Sequence, residues 1–181
     1  MKIIFKSDGA ARLAVLGLAI AACSGGKAPD DAGNTFVAYA PTFQPFRAWT
    51  SFHDDLEDSS LPAAVNGPRT QYINMTPPHG STEFPVGTVI VEARESGLMK
   101  IFAGVKRGGD YNATGAKNWE WFELQEASGP GSAVTIVWRG VGPPAGDMYG
   151  GDPNGGCNSC HAMCGASNDF VCSAQLQLGN F

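Results

Sequence analysis

Positive charge is scarce in this 181-residue sequence, in which 12 Lys and Arg are outnumbered by 17 Asp and Glu for a formal net charge of -5. Domains that bind nucleic acid carry a basic patch or stripe. The composition therefore excludes nucleic acid as a partner. It stays compatible with a redox partner that presents a basic face to an acidic surface.

Long apolar runs are also missing. The longest one, residues 13–22, has ten residues, whereas a membrane-spanning helix needs about 20. This run follows a basic start and ends in small residues before Cys23, as in a bacterial lipobox. We interpret residues 1–22 as a lipoprotein signal peptide and Cys23 as the lipidated N-terminus of an exported, membrane-anchored chain that faces the periplasm or the cell surface. The alternative is an ordinary signal peptide with an incidental cysteine.

The exported part of the chain has the length of one domain. Residues 23–34 are small, polar and rich in Gly, Pro and Asp, which predicts a flexible tether. Residues 35–181 then form the folded domain, and they contain no internal repeat.

Helical periodicity is rare. One aromatic stripe recurs at every third position, at Phe43, Phe46, Trp49 and Phe52, and we interpret it as a short N-terminal amphipathic helix. A stripe of this kind packs against a sheet more often than it contacts a cofactor, and haem contact is the alternative.

In most of the domain, apolar and polar residues alternate with a period of two. Five short segments are rich in β-branched and aromatic residues and are bounded by Gly, Pro, Asn or Ser, which predicts strands: 70–75, 88–93, 98–106, 119–124 and 133–139. In the last of these, Val134, Ile136 and Trp138 should share one face. Short connections favour hairpins. We predict a mainly β (α+β) fold, an antiparallel meander with the N-terminal helix and a C-terminal haem-binding segment.

The haem prediction comes from the run Cys157-Asn158-Ser159-Cys160-His161. Two thiols three positions apart can each bond a vinyl group of one porphyrin, and the following imidazole becomes the proximal iron ligand. The alternative is a zinc or disulfide module. Adjacent Cys160 and His161 are awkward partners for one tetrahedral ion, and no second Cys-x-x-Cys is present, so we expect one covalent haem c.

Two helical cytochrome folds are excluded, one by the position of the motif and the other by the strand patterns. Only twenty residues follow His161, and Met163 is too close in sequence to reach the opposite axial face of the same porphyrin. The strand patterns are likewise incompatible with a four-helix bundle.

Two further cysteines, Cys164 and Cys172, are left over after the haem and the lipid. In an oxidising compartment they predict a disulfide across the loop after the motif, with a contribution of about 2 to 3 kcal/mol. The alternative is a pair of buried thiols.

Several segments together resemble the cytochrome P-460 family, whose haem motif also lies near the end of a mainly β domain. Their order and spacing carry the resemblance: 72–74, 84–91, 105–112, 119–124, 157–161 and 169–171. The resemblance implies an antiparallel sheet with flanking helices, a five-coordinate haem with an open distal face, and a possible homodimer. The related cytochrome c′-β binds nitric oxide and carbon monoxide.

Family members that oxidise hydroxylamine join a strand lysine covalently to the porphyrin, and Glu92 stands at that position here. Glu92 either points to solvent or acts as a distal acid with a raised pKa. Lys100 and Lys106, on a neighbouring strand, could substitute for the missing lysine. The expected function is binding of a small gaseous or nitrogenous ligand, nitric oxide or hydroxylamine, or electron transfer. The alternatives are a hydroxylamine or nitric oxide oxidoreductase and a module without haem.

Overall fold

Short strands separated by tight turns dominate the architecture, as their β-branched and aromatic composition dictates. The computed structural model describes residues 34–55, 67–94, 100–144 and 156–181. The predictions for the signal peptide, for Cys23 and for nearly all of the tether lie outside these ranges. In the described ranges, no helix has the length and apolar character needed to cross a membrane.

Six antiparallel strands form one sheet in which spatial order follows chain order. They are β1 (Thr50–Asp54), β2 (Arg69–Ile73), β3 (Val89–Arg94), β4 (Ile101–Lys106), β5 (Trp119–Glu126) and β6 (Val134–Gly140). The prediction of an antiparallel meander is confirmed, and the five predicted strands correspond to β2 through β6.

The predicted N-terminal helix is wrong. Two single 3-10 turns, Ala40–Phe43 and Phe46–Ala48, precede strand β1 in that region. Pro45 separates the two turns and has no backbone N–H to continue a helix. The following residues pair with β2 instead, with Thr50 opposite Ile73 and Asp54 opposite Arg69.

The first face of the sheet, which the N-terminal segment covers, holds a large apolar cluster. Phe43 and Phe46 are fully buried there, in edge-to-face contact with Phe122 and Tyr72 respectively. The two phenylalanines therefore belong to the core. They pack over a cluster that includes Val89, Val91, Ala93, Ile101, Ala103, Val105 and Leu124.

The second face carries a different set of aromatic residues and is covered by the C-terminal segment. Ile73, Phe84, Trp119, Trp121 and Trp138 pack there with Val171, Leu176 and Leu178. Trp138 reaches this face because the register shifts between Glu123 and Leu124, so that Leu124 pairs with Ile136 but Glu123 pairs with Trp138. Such a bulge changes the side-chain alternation, and the prediction that Ile136 and Trp138 share a face is wrong.

A buried ion pair attaches the C-terminal segment to the sheet. Lys106 Nζ lies 2.5 and 2.7 Å from the carboxylate oxygens of Asp169, and both residues are buried. The backbone N–H of Phe84 donates to the same carboxylate at 3.0 Å, and Trp119 Nε1 donates to the Asp169 carbonyl at 2.8 Å. Two donor groups, Lys106 Nζ and the Phe84 N–H, therefore satisfy the carboxylate, and a third, Trp119 Nε1, satisfies the backbone carbonyl of the same residue.

Replacing Lys106 by Met should destabilise the fold by about 3 to 5 kcal/mol at pH 7, because Asp169 would then be a buried charge without a partner. Burial already raises the pKa of Asp169, while Lys106 opposes that rise. Without Lys106 the folded-state pKa would lie further above the unfolded value. The loss should therefore shrink as the pH falls through the folded-state pKa, where the carboxyl group takes up a proton. Urea unfolding of the wild type and the variant at several pH values measures how this loss of stability depends on pH.

The double variant Lys106→Met/Asp169→Asn removes both charges and is the control. Asp169 has a left-handed backbone conformation with φ 49°. Asn tolerates this conformation, so the double variant should recover most of the lost stability. Equal losses in the single and double variants would contradict a role for the ion pair.

Candidate functional site

Helix α1 (Cys157–Met163) carries the whole Cys-x-x-Cys-His motif and packs against strand β5. Residues three apart on a helix lie on neighbouring turns of one side, so Cys157 and Cys160 face the same general direction. Cys157 is half-buried against the second-face cluster, and Cys160 is exposed. Burial raises the pKa of the Cys157 thiol to about 12, which keeps it protonated at neutral pH.

The imidazole of His161 has a defined orientation. Its Nδ1 lies 2.9 Å from the carbonyl oxygen of Phe170, so Nδ1 carries the proton that is donated and Nε2 keeps a lone pair. Burial lowers the pKa of His161, which favours the neutral ring. A neutral imidazole with one nitrogen bonded to a backbone carbonyl is the arrangement that metal-ligating histidines use.

Trp121 holds the imidazole from one side. The two rings stack with their centroids 4.0 Å apart and an interplanar angle of 27°. Gly104 makes room for the indole, because a Cβ atom at position 104 would lie 2.8 Å from the Trp121 ring. Trp121 is only 6% exposed, and its Nε1 has no hydrogen-bond partner in the part of the chain that the structure describes.

Asn158, inside the motif, fastens α1 to the loop before β5. Its Oδ1 accepts hydrogen bonds from Asn112 Nδ2 at 2.5 Å and from the backbone N–H of Ala116 at 2.8 Å, and its Nδ2 donates to the Thr114 carbonyl at 2.9 Å. Gly115 (φ 81°) passes so close that a Cβ atom would clash with the Asn158 amide. Sequence reasoning missed this residue, since no pattern marks the middle positions of the motif.

A disulfide lies beside the imidazole. The structure joins Cys164 to Cys172 with a Cα–Cα distance of 5.2 Å, which is within the normal range. Cys172 Sγ is 3.6 Å from His161 Nδ1. Cys157 and Cys160 remain thiols. The four cysteines of the C-terminal segment thus separate into one bonded pair and two thiols on α1.

Glu92 lies on the second face of the sheet, as do Trp121 and the site. Its carboxylate forms ion pairs with Arg94 at 2.7 Å and Arg69 at 3.5 Å, and it receives a weak hydrogen bond from Gln71 at 3.5 Å. Its side chain is 20% exposed. Glu92 is therefore held in a charged network and does not point freely into solvent.

The remaining candidates are placed elsewhere or are already engaged. Lys100 pairs with Glu123 at 3.0 Å, and Lys106 pairs with Asp169. Besides His161, the chain has two histidines that could in principle ligate iron. His53, on strand β1, contacts Asp55, and His79 is exposed in a turn. Among the described residues, no three His, Cys, Asp or Glu side chains meet in a group that could hold a metal ion.

Replacing Asn158 by Ala should destabilise the protein by about 1 to 3 kcal/mol, because it leaves the Ala116 N–H and the Thr114 carbonyl without this partner. Ser159→Ala is the matched control, since Ser159 is the other middle residue of the motif and is exposed. Among the described residues, its hydroxyl donates to the carbonyl of Gly156, the N-cap of the same helix. The effect of Ser159→Ala should stay within about 0.5 kcal/mol. Urea unfolding compares the two, and equal effects would show that the Asn158 contacts do not fasten the helix.

Comparison with known proteins supplies no relative. The chain matches no protein-family model, no curated protein and no solved structure. Any statement about function therefore rests on the residues of this site.

Proposed function

We propose that this chain is an exported, lipid-anchored, mono-haem c-type cytochrome of the cytochrome P-460 type. Cys157 and Cys160 would form the two thioether bonds, and His161 would be the proximal iron ligand. An open distal face would bind a small nitrogenous ligand, nitric oxide or hydroxylamine, or the protein would transfer electrons to a redox partner.

One observation carries the proposal: the C-terminal cysteines divide into a disulfide and two thiols next to an oriented imidazole. Covalent haem attachment needs two thiols and one axial nitrogen, which are the groups that α1 supplies. His161 has Nε2 left for a metal because Nδ1 is bonded to the Phe170 carbonyl. The buried N–H of Trp121 next to this imidazole is a donor that a bound group could use.

The same division of cysteines weakens the zinc alternative. A closed zinc site needs four ligands, and the disulfide removes Cys164 and Cys172 as thiolates. Cys157, Cys160 and His161 would be left, with the last two adjacent in sequence. This set suits a haem better than a tetrahedral ion.

The chain's own residues would then bind and orient the cofactor. Stacking on Trp121 fixes the plane of the imidazole, and the Phe170 carbonyl keeps its proton on Nδ1. When bound, haem supplies an iron that changes oxidation state by one electron and can take a small molecule opposite the histidine. Because Lys100 and Lys106 are held in ion pairs, the site favours ligand binding or electron transfer over chemistry that needs a lysine cross-link.

Protein produced with a working haem-attachment system should give the pyridine haemochrome spectrum of a haem with two thioether bonds. Cys157→Ala/Cys160→Ala should lose all covalent haem, because both attachment points are gone. Cys160→Ala alone should keep a haem held by one thioether, with its absorption band shifted to longer wavelength. Denaturing gels stained for haem and the haemochrome spectra measure these outcomes.

The control is Cys164→Ser/Cys172→Ser, which removes the other two cysteines and should retain a full complement of covalent haem. Loss of haem from both double variants alike would contradict the assignment of the thioether cysteines. Carbon monoxide binding by the ferrous wild-type protein then distinguishes an open axial face from a closed six-coordinate carrier.

A further inference from the structure

We propose that the Cys164–Cys172 disulfide and the left-handed turn at Asp169 and Phe170 together form a positioning device for the His161 imidazole. The disulfide holds the turn in place, and the turn holds a carbonyl against Nδ1. The effect on iron rests on the proposed function, whereas the effect on the imidazole does not.

The turn consists of two consecutive residues with positive φ, Asp169 at 49° and Phe170 at 64°. This region is uncommon for residues other than glycine and is a true outlier for a bulky side chain such as Phe170. Strained backbone of this kind persists where the surroundings over-determine it, and it is enriched at functional sites. Phe170 therefore requires external restraint to keep its conformation.

The strained conformation directs both carbonyls of the turn to named donors. The Asp169 carbonyl accepts from Trp119 Nε1 at 2.8 Å, and the Phe170 carbonyl accepts from His161 Nδ1 at 2.9 Å. A Phe170 residue that relaxed to negative φ would turn its carbonyl away from Nδ1. The contact with the imidazole thus depends on the backbone conformation of one residue.

Restraints act on both sides of Phe170. On the N-terminal side, Lys106 and the Phe84 N–H hold the Asp169 carboxylate. On the C-terminal side, the disulfide ties Cys172 to Cys164, which caps the end of α1. The helix that carries His161 and the turn that carries its acceptor are therefore covalently linked.

The disulfide also touches the imidazole directly, since Cys172 Sγ lies 3.6 Å from Nδ1. A sulfur at this distance lies next to the ring atom that the Phe170 carbonyl contacts. Without the disulfide, the turn would be tied to the end of α1 by backbone hydrogen bonds alone, among them the one from the Phe170 N–H to the Gly165 carbonyl at 2.9 Å. This weaker attachment would allow the Phe170 carbonyl to withdraw. The imidazole would then lose its Nδ1 partner and, with it, some of the basicity that such a partner confers on a metal ligand.

The test compares the full-length wild-type protein with Cys164→Ser/Cys172→Ser. In protein that carries haem, the variant should have a higher reduction potential, because a less basic ligand stabilises ferric iron less. A tenfold change in the relative stability of the two oxidation states corresponds to about 59 mV for one electron. Should the double variant fail to fold, reduction of the folded wild-type disulfide with a phosphine gives the same comparison.

If the purified protein carries no haem, the proposed function has failed. The positioning of the His161 imidazole by the disulfide and the turn can then still be tested on the imidazole. Nitrogen-15 NMR of His161 should show the Nδ1–H form in the wild type. Loss of one hydrogen bond in the variant should raise the ratio of the Nε2–H form to the Nδ1–H form about tenfold. An unchanged ratio would overturn the proposal, as an unchanged potential would in the haem-bearing protein.

Two further variants separate positioning from general stability. Ser173→Ala removes the buried contact with Gln71 and should lower stability without changing the potential or the NMR ratio. Phe170→Gly in the disulfide-free background should restore both readouts toward wild type, because glycine adopts positive φ without strain. Failure of this rescue would overturn the mechanism, since the disulfide would then act by some route other than the turn.

Discussion

The buried pair of Lys106 and Asp169 is the interaction on which the candidate site depends. It fixes the C-terminal segment to the second face of the sheet, and the turn at Asp169 and Phe170 starts from this anchor. The Phe170 carbonyl then orients His161, whose ring lies on Trp121. A contact at the end of strand β4 therefore determines the geometry of a side chain on α1.

The two faces of the sheet carry different sets of side chains. The first face is closed by Phe43 and Phe46 over the apolar cluster that provides the ordinary core of a small protein. This face also carries buried Glu120, which pairs with Arg107 and Arg139. The second face combines large aromatic rings with paired charges, among them Glu92 with its arginines and Lys100 with Glu123. The second face is also the one on which Trp121 stacks with His161, the proposed iron ligand.

Local sequence patterns were enough to predict most of the sheet and the members of the motif. Strands β2 through β6 are short, rich in β-branched and aromatic residues, and bounded by turn residues, so each could be recognised separately. Strand β1 could not, because its identity depends on pairing with β2, and the preceding aromatic spacing of three suited a helix equally well. The bulge that moves Trp138 to the second face likewise has no local signal.

Tertiary contacts explain the features of the site that the sequence could not reveal. Asn158 can fasten helix α1 because the loop around Gly115 passes beside its side-chain amide. The Phe170 carbonyl matters because of a backbone conformation that no residue preference predicts for phenylalanine. The pairing of Cys164 with Cys172, by contrast, was predicted from their spacing and from the export that the N-terminal sequence predicts, and the structure brings them together.

The central claim, a haem bonded to Cys157 and Cys160, is tested most directly on one proteolytic fragment. Arg139 is the last Lys or Arg in the chain, so trypsin leaves residues 140–181 as a single piece that contains all four C-terminal cysteines. In protein matured with a haem-attachment system, this fragment should carry the mass of one haem and one disulfide and should have no thiol that can be alkylated. A fragment without added haem mass, in which Cys157 and Cys160 are both alkylated, would contradict the central claim.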